Sequence, residues 1–300
     1  MRVLAVVNPR ASRAAGVLSD LSAWFAERPK STFRAVGSQA ELTRVLKEQG
    51  QGADRIAVGG GDGTISGALP TLLELGKPLA VLPLGTANDF AATLGLPADA
   101  FAAAEIAFQG RPHKVDVGLV NGQPFLNVAS VGVAATAVHA QSVELKRRWR
   151  LFAYPISLLH AARETRPFVV TLTVDGNTRW SGPVYQVSVG NGRFHGGGLT
   201  VSEHAAIDDG VLDLYLVPPG PIWKLVKSIT HLKFGSSRPE LIERSCATHI
   251  TASTSTPRPI NADGEIKAET PAEFSLLREA LTVIVPHTLP EGHRGLVGPV

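Results

Sequence analysis

One cysteine stands among the 300 residues of this chain. Alone, Cys246 closes no intramolecular disulfide and anchors no cysteine-based zinc cluster, which fits a reducing compartment and sets zinc chemistry aside. It reads as a small, buried apolar residue. Long apolar runs are also missing. The opening stretch from Met1 stops at Asn8-Pro9, short of a secretory signal core, and no later stretch reaches the roughly 18 apolar residues of a spanning helix. A cytoplasmic address is expected, with any membrane contact peripheral and made by surface residues. Nor is there a strong charge of one sign. The 29 basic and 26 acidic residues leave a net charge of +3, too little to imply nucleic-acid binding, while a pI of about 9.1 still admits anionic lipid surfaces.

What is present suits a folded chain with many turns: 44% apolar and 18% charged residues, 30 glycines and 21 prolines. The length predicts two packed domains. Through the first 120 residues, short β-branched runs alternate with helical patterns, as in parallel α/β layers. Val3 to Val7 reads as a strand. Ser38 with Glu41 has capping-box spacing, and Leu42, Val45 and Leu46 share one helical face before Gly50 and Gly52. The strand Arg55 to Val58 runs into Gly59-Gly60-Gly61-Asp62-Gly63-Thr64 and a helix from Ile65 to Leu75 that bends or restarts at Pro70. The strand Leu79 to Leu84 meets Gly85-Thr86-Ala87-Asn88-Asp89-Phe90 and a second helix. Beyond Pro112 the pattern becomes antiparallel: His113 to Val120 and Gln123 to Ser130 flank Asn121-Gly122, a type I′ hairpin dipeptide, and Asp175-Gly176 repeats it. Further strands are expected at Val184 to Val189, Val211 to Val217 and Leu281 to Val285, a helix over Val143 to Thr165, and a loop over Thr251 to Pro259.

A strand ending in glycines and opening a helix is what phosphate binding requires, because backbone N–H groups and the helix N-terminus then face the anion. Glycine turns also serve simply as tight corners. Neither common nucleotide fingerprint is met: G-x-x-x-x-G-K-[ST] is absent, and G-x-G-x-x-G started at Gly61 meets Ser66 where glycine belongs. The carboxylates of Asp62 and Asp89 lie inside the turns. Beside phosphates they cost Coulomb energy unless a divalent cation intervenes, although either one alone reads more readily as a capping or turn aspartate.

Taken together these residues resemble the diacylglycerol kinase catalytic-domain family, including its bacterial diacylglycerol-kinase-like and sphingosine-kinase-like lipid kinases. The resemblance rests on Asn8-Pro9, Gly60-Gly61-Asp62-Gly63-Thr64, Pro83-Leu84-Gly85-Thr86-Ala87-Asn88-Asp89-Phe90-Ala91, Val115-Asp116-Val117-Gly118, Asn127-Val128-Ala129-Ser130, Gly190-Asn191-Gly192, Asp208-Asp209-Gly210 and Asp263-Gly264-Glu265, in the family's order. The first glycine element is shared with NAD kinases and, loosely, phosphofructokinases; the element from Pro83 is far more restricted.

The resemblance implies a Rossmann-like, parallel α/β ATP-binding domain over residues 1–122. It implies an antiparallel β-sandwich lipid domain over 123–286, with a tail at 287–300 that returns to the first domain, and ATP and lipid meeting between the domains. It implies an ATP- and Mg²⁺-dependent lipid kinase acting on a diacylglycerol-like or sphingoid-base-like hydroxyl at the inner membrane face, peripheral to it, with no nucleic-acid partner and with a homodimer allowed. Asn8, Gly60, Gly61, Asp62, Gly63, Thr64, Ser66, Gly85, Thr86 and Asn88 are the implied nucleotide contacts. Glu265 is the implied proton acceptor, and Asp263 orients the site or binds metal. Asp62, Asp89 and Asp116 are the implied Mg²⁺ network, and Asp209 with backbone oxygens of Ala206 and Val211 the implied structural Mg²⁺ site.

The chain departs from the family pattern at Ser66 and Gly67, where many relatives carry Asn and Glu, and at Arg13, where the early motif has glycine. Two other readings stay open: an NAD-kinase-like enzyme, and a catalytically silent lipid-binding regulator that kept the fold. Lys146 to Arg150 with Trp149 would suit a membrane interface, yet a short basic run equally solvates a helix. His195, among glycines, reads as a bystander or a substrate contact.

Overall fold

The computed structural model describes residues 1–132, 166–192, 206–220, 243–290 and 295–296. The expected helix over 143–165, the basic run and His195 lie outside them. The described chain separates into two compact units: one of residues 1–117, 206–209 and 277–300, the other of residues 118–205 and 210–276.

In the first unit the elements run β1 (Val3–Val7), α1 (Leu18–Ala26), β2 (Ser31–Ala35), α2 (Gln39–Gln49), β3 (Arg55–Gly60), α3 (Asp62–Leu75), β4 (Leu79–Pro83), α4 (Asp89–Thr93), α5 (Ala100–Gln109) and the start of β5 (Arg111–Val120). Strand β1 pairs parallel with β2 on one side and β3 on the other, and β4 continues in parallel beside β3. Strands β1 and β4 are buried along their whole length, which is why they read as unbroken apolar runs. Leu21 and Phe25 of α1 and the small-residue stripe Ala100, Ala103, Ala104 and Ala107 of α5 pack with Val3, Ala5, Val7 and Leu82 in one core cluster.

Local signals explain the helices. The Ser38 hydroxyl accepts from the Glu41 amide at 3.2 Å, while Glu41 reaches back to the Gly37 amide at 2.8 Å, a capping box displaced by one residue. Asp99 caps α5 through the amides of Phe101 and Ala102. Helix α3 starts earlier than expected, at Asp62, and runs through Pro70 without restarting. Pro70 has no N–H for the carbonyl four residues back, and it sits on the exposed side of the helix.

The second unit holds the end of β5 and β6 (Gln123–Phe125), β7 (Val128–Gly132), β8 (Phe168–Val174), β9 (Asn177–Val184), β10 (Gln186–Gly190), β11 (Leu212–Val217), β12 (Glu243–Ala247), β13 (His249–Thr254), β14 (Pro259–Ala262), β15 (Glu265–Glu269) and the first part of β16 (Ala272–Val285). One sheet runs β12-β11-β10-β7-β14-β15; another places β16, β13, β8 and β9 side by side, antiparallel. Their apolar faces form one core, with Val131, Val187, Val189, Leu214 and Ile260 from the first sheet and Val170, Leu172, Ile250 and Phe274 from the second. Both expected type I′ dipeptides hold: Asn121 and Gly122 have φ of 47° and 75°, Asp175 and Gly176 of 46° and 82°.

Two expectations fail and a third is adjusted, and the two failures share a cause, the period of two along strands. Cys246 is exposed, not buried, because Ala247 takes the core-facing position and turns its neighbour outward. The segment from Thr251 is not wholly a loop: Thr251 to Thr254 close β13, with Ile250 and Ala252 buried and the β-branched or hydroxyl residues between them facing away. The expected strand over Val184 to Val189 is divided at Tyr185 between β9 and β10, which lie in different sheets.

Asp175 gives this unit a pH dependence. Its Oδ1 accepts from the His249 amide at 3.0 Å and from the amide and hydroxyl of Thr248. The His249 amide, first among these donors, holds the carboxyl below its ordinary value of 3.8. Its charge therefore stabilises the fold above that value, and the contribution is lost as pH falls through the lowered folded value. In thermal melts, Asp175→Asn is expected to be less stable than wild type at pH 7, with the gap closing below about pH 3.8; a gap unchanged by pH would refute the assignment.

Candidate functional site

In an open parallel sheet, ligands bind beyond the carboxyl ends of the strands, where neighbouring strands lead their chains to opposite sides. Here that point falls between β1 and β3. The residues following those strands are joined: the Asn8 amide donates to the Gly59 carbonyl at 2.8 Å, and the Asn8 side chain donates to the Thr64 hydroxyl at 3.2 Å. Asn8 Oδ1 in turn accepts from the Arg10 amide at 2.9 Å, bending the chain toward β4. There the Arg13 amide donates to the Leu84 carbonyl at 2.9 Å, and Ser12 and Thr86 share a hydroxyl hydrogen bond of 3.0 Å.

The two glycine turns touch backbone to backbone. A Cβ placed on Gly85 would lie 2.3 Å from the Gly61 Cα, and one on Gly60 would lie 2.5 Å from the Thr64 side chain. Asn88 holds the second turn by accepting from the Gly85 amide at 2.8 Å and donating to the Gly85 carbonyl at 3.0 Å, itself in a left-handed conformation at φ 55°. Asp62 binds the turns together, its Oδ1 accepting from the Phe90 amide at 3.0 Å. Helix α3 begins at Asp62 with no side chain capping its N-terminus. Thus Asn8, Gly60, Gly61, Asp62, Gly63, Thr64, Gly85, Thr86 and Asn88 belong to one connected set of turns, with Ser66 buried in the first turn of α3. Such a set presents backbone donors and a helix N-terminus to an anion.

The acidic residues are more dispersed. Asp89 is buried at the start of α4, and its carbonyl accepts from the Thr93 hydroxyl. Asp116, also buried, accepts from the Glu279 amide at 2.7 Å, and its own amide donates to the Ile207 carbonyl. Asp209 closes a short turn by accepting from the Ala206 amide at 3.1 Å. Val211 follows that turn, just before β11. Among the described residues no group of three or more His, Cys, Asp or Glu side chains could hold a metal ion.

In the second unit, Asp263 and Gly264 form the two-residue turn between β14 and β15, with φ of 52° and 95°. The Asp263 carboxylate accepts from three consecutive amides, Leu126 at 2.7 Å, Asn127 at 2.9 Å and Val128 at 3.2 Å, while its own amide donates to the Val128 carbonyl. Asp263 is therefore an anchor that fixes the turn against the start of β7. Glu265 is exposed at the first position of β15.

Sequence reasoning missed three features. Ser12 and Arg13 lie against the second glycine turn, a proximity that only the pairing of the 8–14 segment with the end of β4 creates. Gln39, at the start of α2, lies over Gly67, where an added Cβ would come within 2.4 Å of its side-chain oxygen. The triple-amide seat of Asp263 depends on a partner segment more than 130 residues earlier in the chain and has no local signal.

Family models and relatives together support a lipid kinase of the diacylglycerol kinase and YegS kind. Residues 2–120 match the diacylglycerol kinase catalytic domain and residues 127–285 the YegS C-terminal NAD kinase beta sandwich-like domain, so the chain belongs to that family. Among relatives, the Chromohalobacter salexigens protein named "Probable lipid kinase YegS-like" is 31% identical over 255 residues, covering 83% of this chain and 81% of that one. A Mycobacterium tuberculosis protein named diacylglycerol kinase is 30% identical over 295 residues, 95% of each chain. A crystal structure of a diacylglycerol kinase from Bacillus anthracis superposes with a TM-score of 0.76 at 27% identity, covering 96% of this chain and 98% of that one. An NAD kinase from Archaeoglobus fulgidus, at 14% identity and a TM-score of 0.52, shares the fold.

Gly85→Ala tests the crossing of the turns. The methyl group meets backbone that cannot swing aside, so a loss of about 1–3 kcal/mol in unfolding free energy is expected, the range for overpacking. Denaturant titration measures it, and a neutral result would show that the turns can part.

Proposed function

We propose that this chain transfers the terminal phosphoryl group of ATP to a hydroxyl group of a lipid in an Mg²⁺-dependent reaction. The observation that carries the reading is the backbone contact of Gly61 with Gly85 beside the uncapped start of α3. Phosphoryl transfer asks a protein mainly for positioning and charge stabilisation, and a cradle of backbone amides supplies both. Asn8, the turn Gly60 to Thr64, Ser66, Gly85, Thr86 and Asn88 are the proposed nucleotide contacts. Asp62 and Asp89 are the proposed carboxylates nearest a phosphate-borne cation, with Asp116 supporting them; Asp209, Ala206 and Val211 are proposed for a second, structural cation. When bound, Mg²⁺ neutralises charge on the phosphate oxygens.

Glu265 is the proposed general base. The acceptor O–H breaks, its proton passes to the Glu265 carboxylate, the oxygen bonds to the terminal phosphorus, and the bond from that phosphorus to the bridging oxygen breaks to release ADP. Exposure of Glu265 at the head of an edge strand favours this role over Asp263, whose carboxylate already serves three amides. The diacylglycerol in the Mycobacterium tuberculosis relative's name supports a glycerolipid acceptor. Among the described residues no helix is long and apolar enough to cross a membrane, so we propose peripheral contact with a lipid surface.

The test is transfer of labelled phosphate from ATP with Mg²⁺ to a lipid panel and to NAD. Glu265→Gln is expected to stay folded and to lose transfer by at least about 10²-fold, the range for removing a general base. Asp263→Asn is expected to lose transfer and also to melt earlier, because it anchors the 126–128 segment. Near-normal turnover in Glu265→Gln would remove it as the base. Phosphorylation of NAD with none of any lipid would overturn the lipid reading, and binding of ATP and liposomes with no transfer at all would identify a silent regulator.

A further inference from the structure

Next to the turn proposed for the structural cation lies a pair of titratable side chains that phosphoryl transfer does not use. His113, on β5, donates from Nε2 to Asp208 Oδ2 at 2.8 Å, and the two side chains are only 10% and 8% exposed. On the other side of the ring, Arg111 Nη1 lies 3.4 Å from Nδ1. An arginine can only donate and a carboxylate only accept, so the ring takes the tautomer that accepts at Nδ1 and donates from Nε2. A hydrogen bond to a carboxylate is stronger than one between neutral groups, and shielding from water strengthens it further.

The bond falls on a short stretch of chain. Residues 206–209 belong to the first unit. There the Asp116 amide donates to the Ile207 carbonyl at 2.8 Å, and the Ile207 amide donates to the Gly295 carbonyl at 3.0 Å. Strand β5 thus grips two consecutive residues of the turn, Ile207 through the backbone of Asp116 and Asp208 through the side chain of His113. Asp209 closes the turn on the Ala206 amide at 3.1 Å, and Gly210 leaves it at φ 75°.

The donor set proposed for the cation fits a hard divalent ion, since the Asp209 carboxylate and the carbonyls of Ala206 and Val211 are all oxygen. Backbone carbonyls point where the chain fixes them, so such a set depends on how firmly the turn is held. It also contains a rival ligand, because Asp208 and Asp209 are adjacent carboxylates. We infer that His113 is a positioning residue for this cation. Its bond to Asp208 fixes the turn that carries Asp209 and the Ala206 carbonyl, and it draws the Asp208 carboxylate toward β5, leaving Asp209 as the carboxylate that meets the ion. The inference rests on the structural-cation reading and deepens it.

The test follows the thermal midpoint of the nucleotide-free protein as Mg²⁺ is raised from a chelated start. Stabilisation by a bound ion sets in near its Kd, so the concentration at which the midpoint begins to climb reports affinity without any turnover. Groups that hold a metal's ligands in place change its affinity by about 10- to 100-fold when removed, and His113→Ala is expected to raise the onset by that factor. His113→Gln, whose amide N–H can take the place of the ring Nε2–H, is expected to restore the wild-type onset. Asp208→Asn, which keeps an oxygen for the ring, is expected to keep it, and Asp209→Asn to abolish the climb. A merely structural bond would lower all midpoints alike and leave the onset where it was. If His113→Ala does not fold, Asp208→Ala opens the same bond from the other end and is expected to give the same shift. An unmoved onset in the variant that breaks the bond, no restoration by His113→Gln, or a loss in Asp208→Asn as complete as in Asp209→Asn overturns the positioning role while the cation stands. No climb in wild type, or one that survives Asp209→Asn, removes the cation reading and the inference with it.

Discussion

The candidate nucleotide site depends on the absence of two methyl groups. Gly61 and Gly85 end their strands in backbone contact, and any side chain at Gly85 would run into the Cα of Gly61. That closeness lets Asp62 accept from the Phe90 amide across the gap and lets Leu84 donate to the Gly60 carbonyl, so that two separate βα turns become one rigid lip. Under the proposed phosphoryl transfer, rigidity has a chemical use. Amides that must stabilise charge on a transferring phosphoryl group act best when already aimed, because nothing is then spent on reorienting them during the reaction.

The second unit solves a related problem with the opposite residue type. A carboxylate placed at the turn between β14 and β15 gathers the amides of Leu126, Asn127 and Val128, groups that would otherwise be unsatisfied where the chain enters β7. Asp263 thereby commits its hydrogen-bonding capacity to structure, and the residue two positions later is left exposed. The same device appears at Asp175, whose carboxylate gathers the amides of Thr248 and His249 across another Asp-Gly hairpin. In each case aspartate both adopts the left-handed turn and ties it to a distant segment, which glycine or asparagine would do less firmly, lacking the charge.

What could be read in advance follows from where the information lies. Strands β1, β3 and β4, the cap at Ser38 and both type I′ turns are written in a few consecutive residues, and they appear in the structure where those residues place them. The glycine turns were legible as turns between strand and helix for the same reason. Three things were not local. The outward turn of Cys246 is decided by which neighbour, Ala247, claims the core. The anchoring of Asp263 and the hydrogen bond of Ser12 with Thr86 join residues far apart in sequence, and no periodicity announces such pairings. The Asp-Gly-Glu triplet in particular looks like any surface turn until its partner segment is known.

The departures from the family pattern are better understood in space than along the chain. Gly67, where many relatives carry Glu, reads in one dimension as a lost polar group. In the structure the side chain of Gln39, delivered by the first residue of α2, occupies the room that a residue-67 side chain would need. Helix α2 therefore brings an amide to the first turn of α3 in place of a carboxylate grown from α3 itself. Arg13, where the motif has glycine, has its backbone held to the end of β4, next to the turn that Ser12 and Thr86 join. One change removes a negative charge and the other adds a positive one near the same turns. Both raise the local potential and so favour a polyanion there.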